Sequence, residues 1–138
     1  MWIIYGLLAA VTAALTTICG KIGLKGIDPT FATGVRSMIM FVFMLLVLIS
    51  TKKIALISTL DGRAWRWVIA AGVFGALSWL FYFLGLQQTT ASKLAALDRL
   101  SLPIIILFSL LFLSEKFSWS LVAGGGLVTA GALLILRG

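Results

Sequence analysis

A chain of 138 residues that is 62% hydrophobic and 11% charged, with a mean hydropathy of +1.17, is too apolar for a water-soluble domain, where about a quarter of residues are charged. Its net charge of +7 comes from eleven Lys and Arg against four Asp and Glu, and the basic residues are scattered between apolar stretches. That pattern points to anionic lipid headgroups and no nucleic acid; with no histidine and Cys19 alone, a Ser-His-Asp triad, a histidine metal site and an internal disulfide are excluded.

Five apolar stretches are predicted to be transmembrane helices: Trp2 to Cys19, Phe31 to Ser50, Trp67 to Leu86, Leu94 to Leu113 and Trp119 to Leu136. Each can cross a hydrocarbon layer of about 30 Å at about 1.5 Å per residue. The predicted fold is an all-α membrane protein of five transmembrane helices in one domain, residues 1–138, with no room for a soluble catalytic domain. The first stretch lacks a positive n-region and a small-residue cleavage site, so it is read as a retained helix rather than a signal peptide.

Along the first span run Gly6, Ala9, Ala10, Ala13, Ala14, Thr17 and Gly20, a stripe that lets helix backbones approach closely, and it predicts burial of this helix in the bundle. Asp28-Pro29 sets a capping acid before a proline suited to a first helical position. The second span holds Arg36. In the connection from Thr51 to Arg66, Ser58 and Asp61 have the spacing of a capping box, predicting an interfacial turn or short helix with Trp65 and Trp67 at headgroup level. The third span carries Ser78, Trp79, Tyr82 and Gln87. Trp79 and Tyr82 share a face, either as packing aromatics or as the lining of a cavity for an aromatic or cationic substrate.

The fourth span contains Asp98 and Arg99, followed by Pro103, which cannot donate to the Arg99 carbonyl and is expected to kink the helix and leave a polar notch. Ser114-Glu115-Lys116-Phe117 is short enough to force the last two spans into an antiparallel hairpin. The last span, with Gly124, Gly125, Gly126, Ala130 and Gly131, predicts a small face for packing or dimerisation; three glycines inside a helix are no phosphate loop.

Charges inside spans are costly and therefore the first candidates for function. Arg36, Asp98 and Arg99 are the three, and Asp98 is the one acid within a span. Arg36 and Asp98 start from the same side and are expected at similar depth, either as a structural ion pair or snorkelling groups, or as a substrate pathway or coupling site with Asp98 carrying protons. Lys21 and Lys93, at span ends, read as snorkelling anchors. A lone carboxylate cannot supply the pair that a hydrolase or a two-metal centre needs, so no enzyme, metal or cofactor is predicted.

Five spans put the termini on opposite sides. Lys52, Lys53, Arg63, Arg66 and Lys116 fall on the N-terminal side and Lys21, Lys25, Arg36, Lys93, Arg99 and Arg137 on the other, a near balance that gives no orientation by the positive-inside rule. Either the tie is chance, or the chain inserts both ways and pairs with an inverted copy. An antiparallel homodimer is favoured over a parallel or higher assembly.

KIGLKGIDPTFATGVRS, LSWLFYFLGLQQTTASKLAALDRLSLPIIILFSLLFLSEKFS and the glycine-rich last helix resemble the EamA domain of the drug/metabolite transporter superfamily. Most such proteins resemble two inverted five-helix units, and this chain resembles one. The resemblance implies a secondary transporter of small metabolites or drugs in the plasma (inner) membrane, driven by protons or exchange, with Arg36, Trp79, Asp98 and Pro103 on helices that border a central cavity. The substrate stays open. A non-transporting membrane subunit and a channel-like or lipid-handling protein are the rival readings.

Overall fold

A computed structural model describes residues 1–138 as six α-helices and one short 3-10 helix. In chain order these are α1 (Trp2–Gly23), α2 (Pro29–Ser50), the 3-10 helix (Ile54–Thr59), α3 (Gly62–Gln88), α4 (Ala91–Asp98), α5 (Ser101–Phe112) and α6 (Trp119–Arg137). Five segments are long and apolar enough to cross a membrane, with α4 and α5 together making the fourth, Ala91–Phe112.

The helix starts follow from side-chain oxygens that accept the first free N–H groups. Asp28 accepts from the backbone N–H of Phe31 at 2.9 Å, with Pro29 opening α2 as expected. Gly26 makes the preceding turn possible, at a φ of 74°. Before α3 the capping box does not form. Asp61 itself accepts from the N–H of Ala64 at 2.7 Å, while the hydroxyl of Ser58, inside the 3-10 helix, donates to the Ala55 carbonyl. Capping by Asp61 starts α3 five residues before the expected Trp67 and takes Trp65 and Trp67 into its first turns. At 27 residues, or about 40 Å, α3 exceeds the hydrocarbon thickness.

The chain forms two compact units, one of Met1–Lys21 with Gln88–Gly138, the other of Ile22–Gln87. In the first, α6 packs closely on α4 and on α5. Ala96, Ser109, Gly125 and Ala132 are buried, and a Cβ placed on Gly125 would lie 3.0 Å from Cδ1 of Ile106. The small face of α6 thus serves packing at Gly125 and Ala132, whereas Gly124 and Gly126 face open space. Lys21, expected as a snorkelling anchor, donates from Nζ to the Thr89 carbonyl at 2.6 Å and ties the end of α1 to the start of α4.

The expected burial of α1 is not found. Thr17 is its buried residue, Gly6 has nothing near it, and Ala9, Ala10 and Ala14 are exposed. Small residues permit a close approach without compelling one, and the close helix pairs of this unit involve α6 instead.

In the second unit α2 and α3 run antiparallel, joined at one end through the 3-10 helix and at the other by Gln87, whose side-chain amide donates to the Ile27 carbonyl at 3.4 Å. Its buried residues are few: Leu24, Pro29, Thr33, Phe83 and Leu86.

Packing at Gly125 yields a stability prediction. Gly125→Val, which must displace Ile106, is expected to lower the stability of the detergent-solubilised protein by about 1–3 kcal/mol, read as a loss of helical circular dichroism at lower temperature. Gly124→Ala and Gly126→Ala, which meet nothing, should melt no lower than the parent.

Candidate functional site

An arginine in a membrane span must find a partner for its charge, and in the second unit that partner is an aromatic ring. Arg36 lies seven residues after Pro29, about 10 Å into α2. Pro29, Thr33 and Arg36 recur at four- and three-residue spacing and so share one face of α2. Trp79 and Phe83 on α3, four residues apart, share a face there.

The two faces meet at the guanidinium. Its Cζ sits 3.8 Å from the centroid of the Trp79 ring and 5.4 Å from that of Phe83. Trp79 is itself held edge-to-face by Tyr82, at 5.6 Å and 67°, and by Phe83, at 6.0 Å and 64°. Phe83 is 4% exposed, so the ring cluster is a fixed wall on that side. A cation over a tryptophan face gains about 2 kcal/mol or more where water is excluded.

The stack leaves the edge of the guanidinium available. Arg36 is half-buried and makes no hydrogen bond or ion pair, and no buried side-chain nitrogen or oxygen is left without a partner, so its N–H groups keep an open side. One face of Trp79, a candidate binding surface for a cationic substrate, is covered by the chain's own cation.

Asp98 lies in the other unit, exposed at the last residue of α4, and accepts no hydrogen bond or ion pair. Arg99 follows in the turn between α4 and α5, also exposed. Ahead of Pro103 the helix is interrupted at Arg99 and Leu100 by a two-residue turn whose backbone stays in the right-handed helical region. Pro103 stands as the third residue of α5, within a first turn where its missing N–H leaves no bond unmade. The polar notch predicted beside it is closed, because the Arg99 carbonyl accepts from the N–H of Leu102 at 3.0 Å. No cluster of acidic, cysteine or histidine side chains able to hold a metal ion is present.

Of the residues expected from the sequence, the structure therefore brings Arg36, Trp79 and Tyr82 into one cluster. It adds Phe83, which was not singled out; its place four residues after Trp79 was the available clue.

Comparison with known proteins agrees with the architecture. The profile of the EamA-like transporter family matches residues 1–137. An uncharacterized transporter encoded in the cobO 3' region of Sinorhizobium sp is 34% identical over 134 residues, covering 97% of this chain and 95% of that protein. No solved structure matches the chain.

The stack can be tested through stability alone. Trp79→Leu, which leaves the Arg36 charge in an apolar span without its ring, is expected to destabilise the solubilised protein by about 1 kcal/mol, and Trp79→Phe by less. Arg36→Leu should be tolerated or stabilising, since an aliphatic side chain pays no desolvation cost in hydrocarbon. Thermal unfolding followed by near-ultraviolet circular dichroism distinguishes the three; a Trp79→Leu protein as stable as the parent would remove the stack.

Proposed function

The chain belongs to the EamA-like transporter family, and on that premise we propose that it is a secondary transporter of small metabolites or drugs in the plasma (inner) membrane, working as an antiparallel homodimer by alternating access. The observation that carries the pairing is the odd number of spans in one family unit, five, combined with a nearly even distribution of Lys and Arg between the two sides. The Sinorhizobium relative supports it, because this chain covers 95% of its length and that protein too is about one unit long.

The polar groups divide the work. Arg36 with Trp79, Tyr82 and Phe83 is the solute-facing cluster; Asp98, an acid without an internal partner inside the span Ala91–Phe112, is the coupling group. Arg99 beside it carries a charge of the opposite sign at the same helix break. An inverted pair would set two copies of each group about the membrane midplane, as alternating access requires. The small side chains exposed along α1 and α6 suit the close helix contacts that such a pair needs in lipid.

Two measurements test this reading. Compartment-sensitive reporters fused at each terminus should report both orientations for the same chain, and a single uniform orientation overturns the inverted pair. In proteoliposomes, Asp98→Asn is expected to abolish the response of solute flux to an imposed pH gradient while the dimer stays folded. Flux that follows the gradient as before removes Asp98 from coupling.

A further inference from the structure

We infer that the Arg36 guanidinium, laid on the Trp79 ring, is the recognition point for the carboxylate or phosphate of an organic anion, which makes this a carrier of anions rather than of cations. The inference rests on the transporter reading and names its substrate class.

Three observations carry it. The first is the missing counter-ion. Arg36 is permanently charged and lies about 10 Å along α2, yet no acidic side chain of its own unit engages it. The acids of its own unit, Asp28 and Asp61, are committed elsewhere, each capping a helix by accepting a backbone N–H. The second is geometry. A ring under the flat face of a guanidinium stabilises the charge and satisfies none of its five N–H donors, which radiate in the plane of the group. The ring therefore holds the donor fork in a fixed plane, and that fork matches the two oxygens of a carboxylate or phosphate. The third is exclusion of the alternative. A cationic solute would have to approach beside the fixed positive charge of Arg36, which already covers one face of Trp79 at 3.8 Å from its centroid. Lys25, exposed in the connection that leads into α2, adds positive charge at the same end of the unit. The Phe83 ring, 5.4 Å from the guanidinium, and the Tyr82 ring packed on Trp79 fit the apolar body of an organic anion better than a bare inorganic ion.

The test uses the full chain in phospholipid-free detergent and three probes of one shape: benzoate, benzylamine and benzyl alcohol. Benzoate should quench tryptophan fluorescence saturably and raise the melting temperature, with the other two at least tenfold weaker. Arg36→Gln should lose the benzoate response, and Arg36→Lys, a point charge without the planar fork, should weaken it several-fold. If Arg36→Gln fails to fold, the Arg36→Lys comparison decides. Equal benzoate affinity in the variants, or a preference for benzylamine, overturns the inference. So does a response produced by added phosphatidylglycerol that benzoate cannot compete away, since the anion would then be a lipid headgroup. Benzoate exchange across liposomes separates the two readings. Arg36-dependent binding without flux keeps the anion site and removes the transporter; benzylamine flux that Arg36→Gln leaves unchanged keeps the transporter and removes the anion site.

Discussion

A hydrocarbon solvent neither donates nor accepts hydrogen bonds, and every polar atom in the spans is arranged under that constraint. The backbone answers it by being helical. Several hydroxyl groups within the spans answer it by bonding back to their own helix: Thr12 to Leu8 at 2.9 Å, Thr16 to Thr12 at 2.9 Å, Thr33 to Pro29 at 2.7 Å, Ser37 to Thr33 at 2.8 Å and Thr129 to Gly125 at 2.8 Å. In consequence, Thr and Ser in the spans act as small, self-satisfied residues and offer little to a solute. The charged groups cannot satisfy themselves in that way, and Arg36, Asp98 and Arg99 lie farthest from the span ends.

The same solvent explains the thin interiors of the two units. Apolar helices gain little by leaving lipid for one another, so helix contact has to come from close approach and directed polar links. The first unit uses the Gly125 and Ala132 face of α6 and the Lys21 to Thr89 bond. The second uses the Gln87 to Ile27 bond and the Arg36 stack. Long side chains rather than interlocking small faces bridge α2 and α3, and a large flat ring can be offered to a cation because the backbones there are not pressed together.

The spans, the cap at Asp28 and the final hairpin were legible in the residues, because hydropathy and capping chemistry are local. Features that depend on competition between neighbouring groups were less so. The sequence shows that Pro103 frees the Arg99 carbonyl; that Leu102 would claim it, in a tight turn between α4 and α5, depends on the backbone. Likewise Ser58 and Asp61 have the spacing of a box, and only the 3-10 helix reveals that Ser58 is already engaged. Arg36 and Trp79 could each be singled out as residues of interest, but their meeting depends on the rotation of α2 against α3, which periodicity does not fix. The stripe on α1 shows the opposite error: it specifies what an approach would allow, not which partner arrives.

The energy of the Arg36 site gives its chemistry a direction. An arginine costs most at the centre of a span and less toward its ends, and a tryptophan face returns part of that cost to Arg36. The ring thus offsets part of the cost and leaves the rest unmet. A carboxylate in the vicinity would have closed that gap permanently and left the donors saturated, as structural ion pairs do. A ring closes it in part and leaves the donors open, so the remaining stabilisation is available to whatever anion arrives. For a carrier this is the useful balance, because a group fully satisfied by its own chain binds nothing, whereas one left wholly unsatisfied would hold its solute too tightly to let it go.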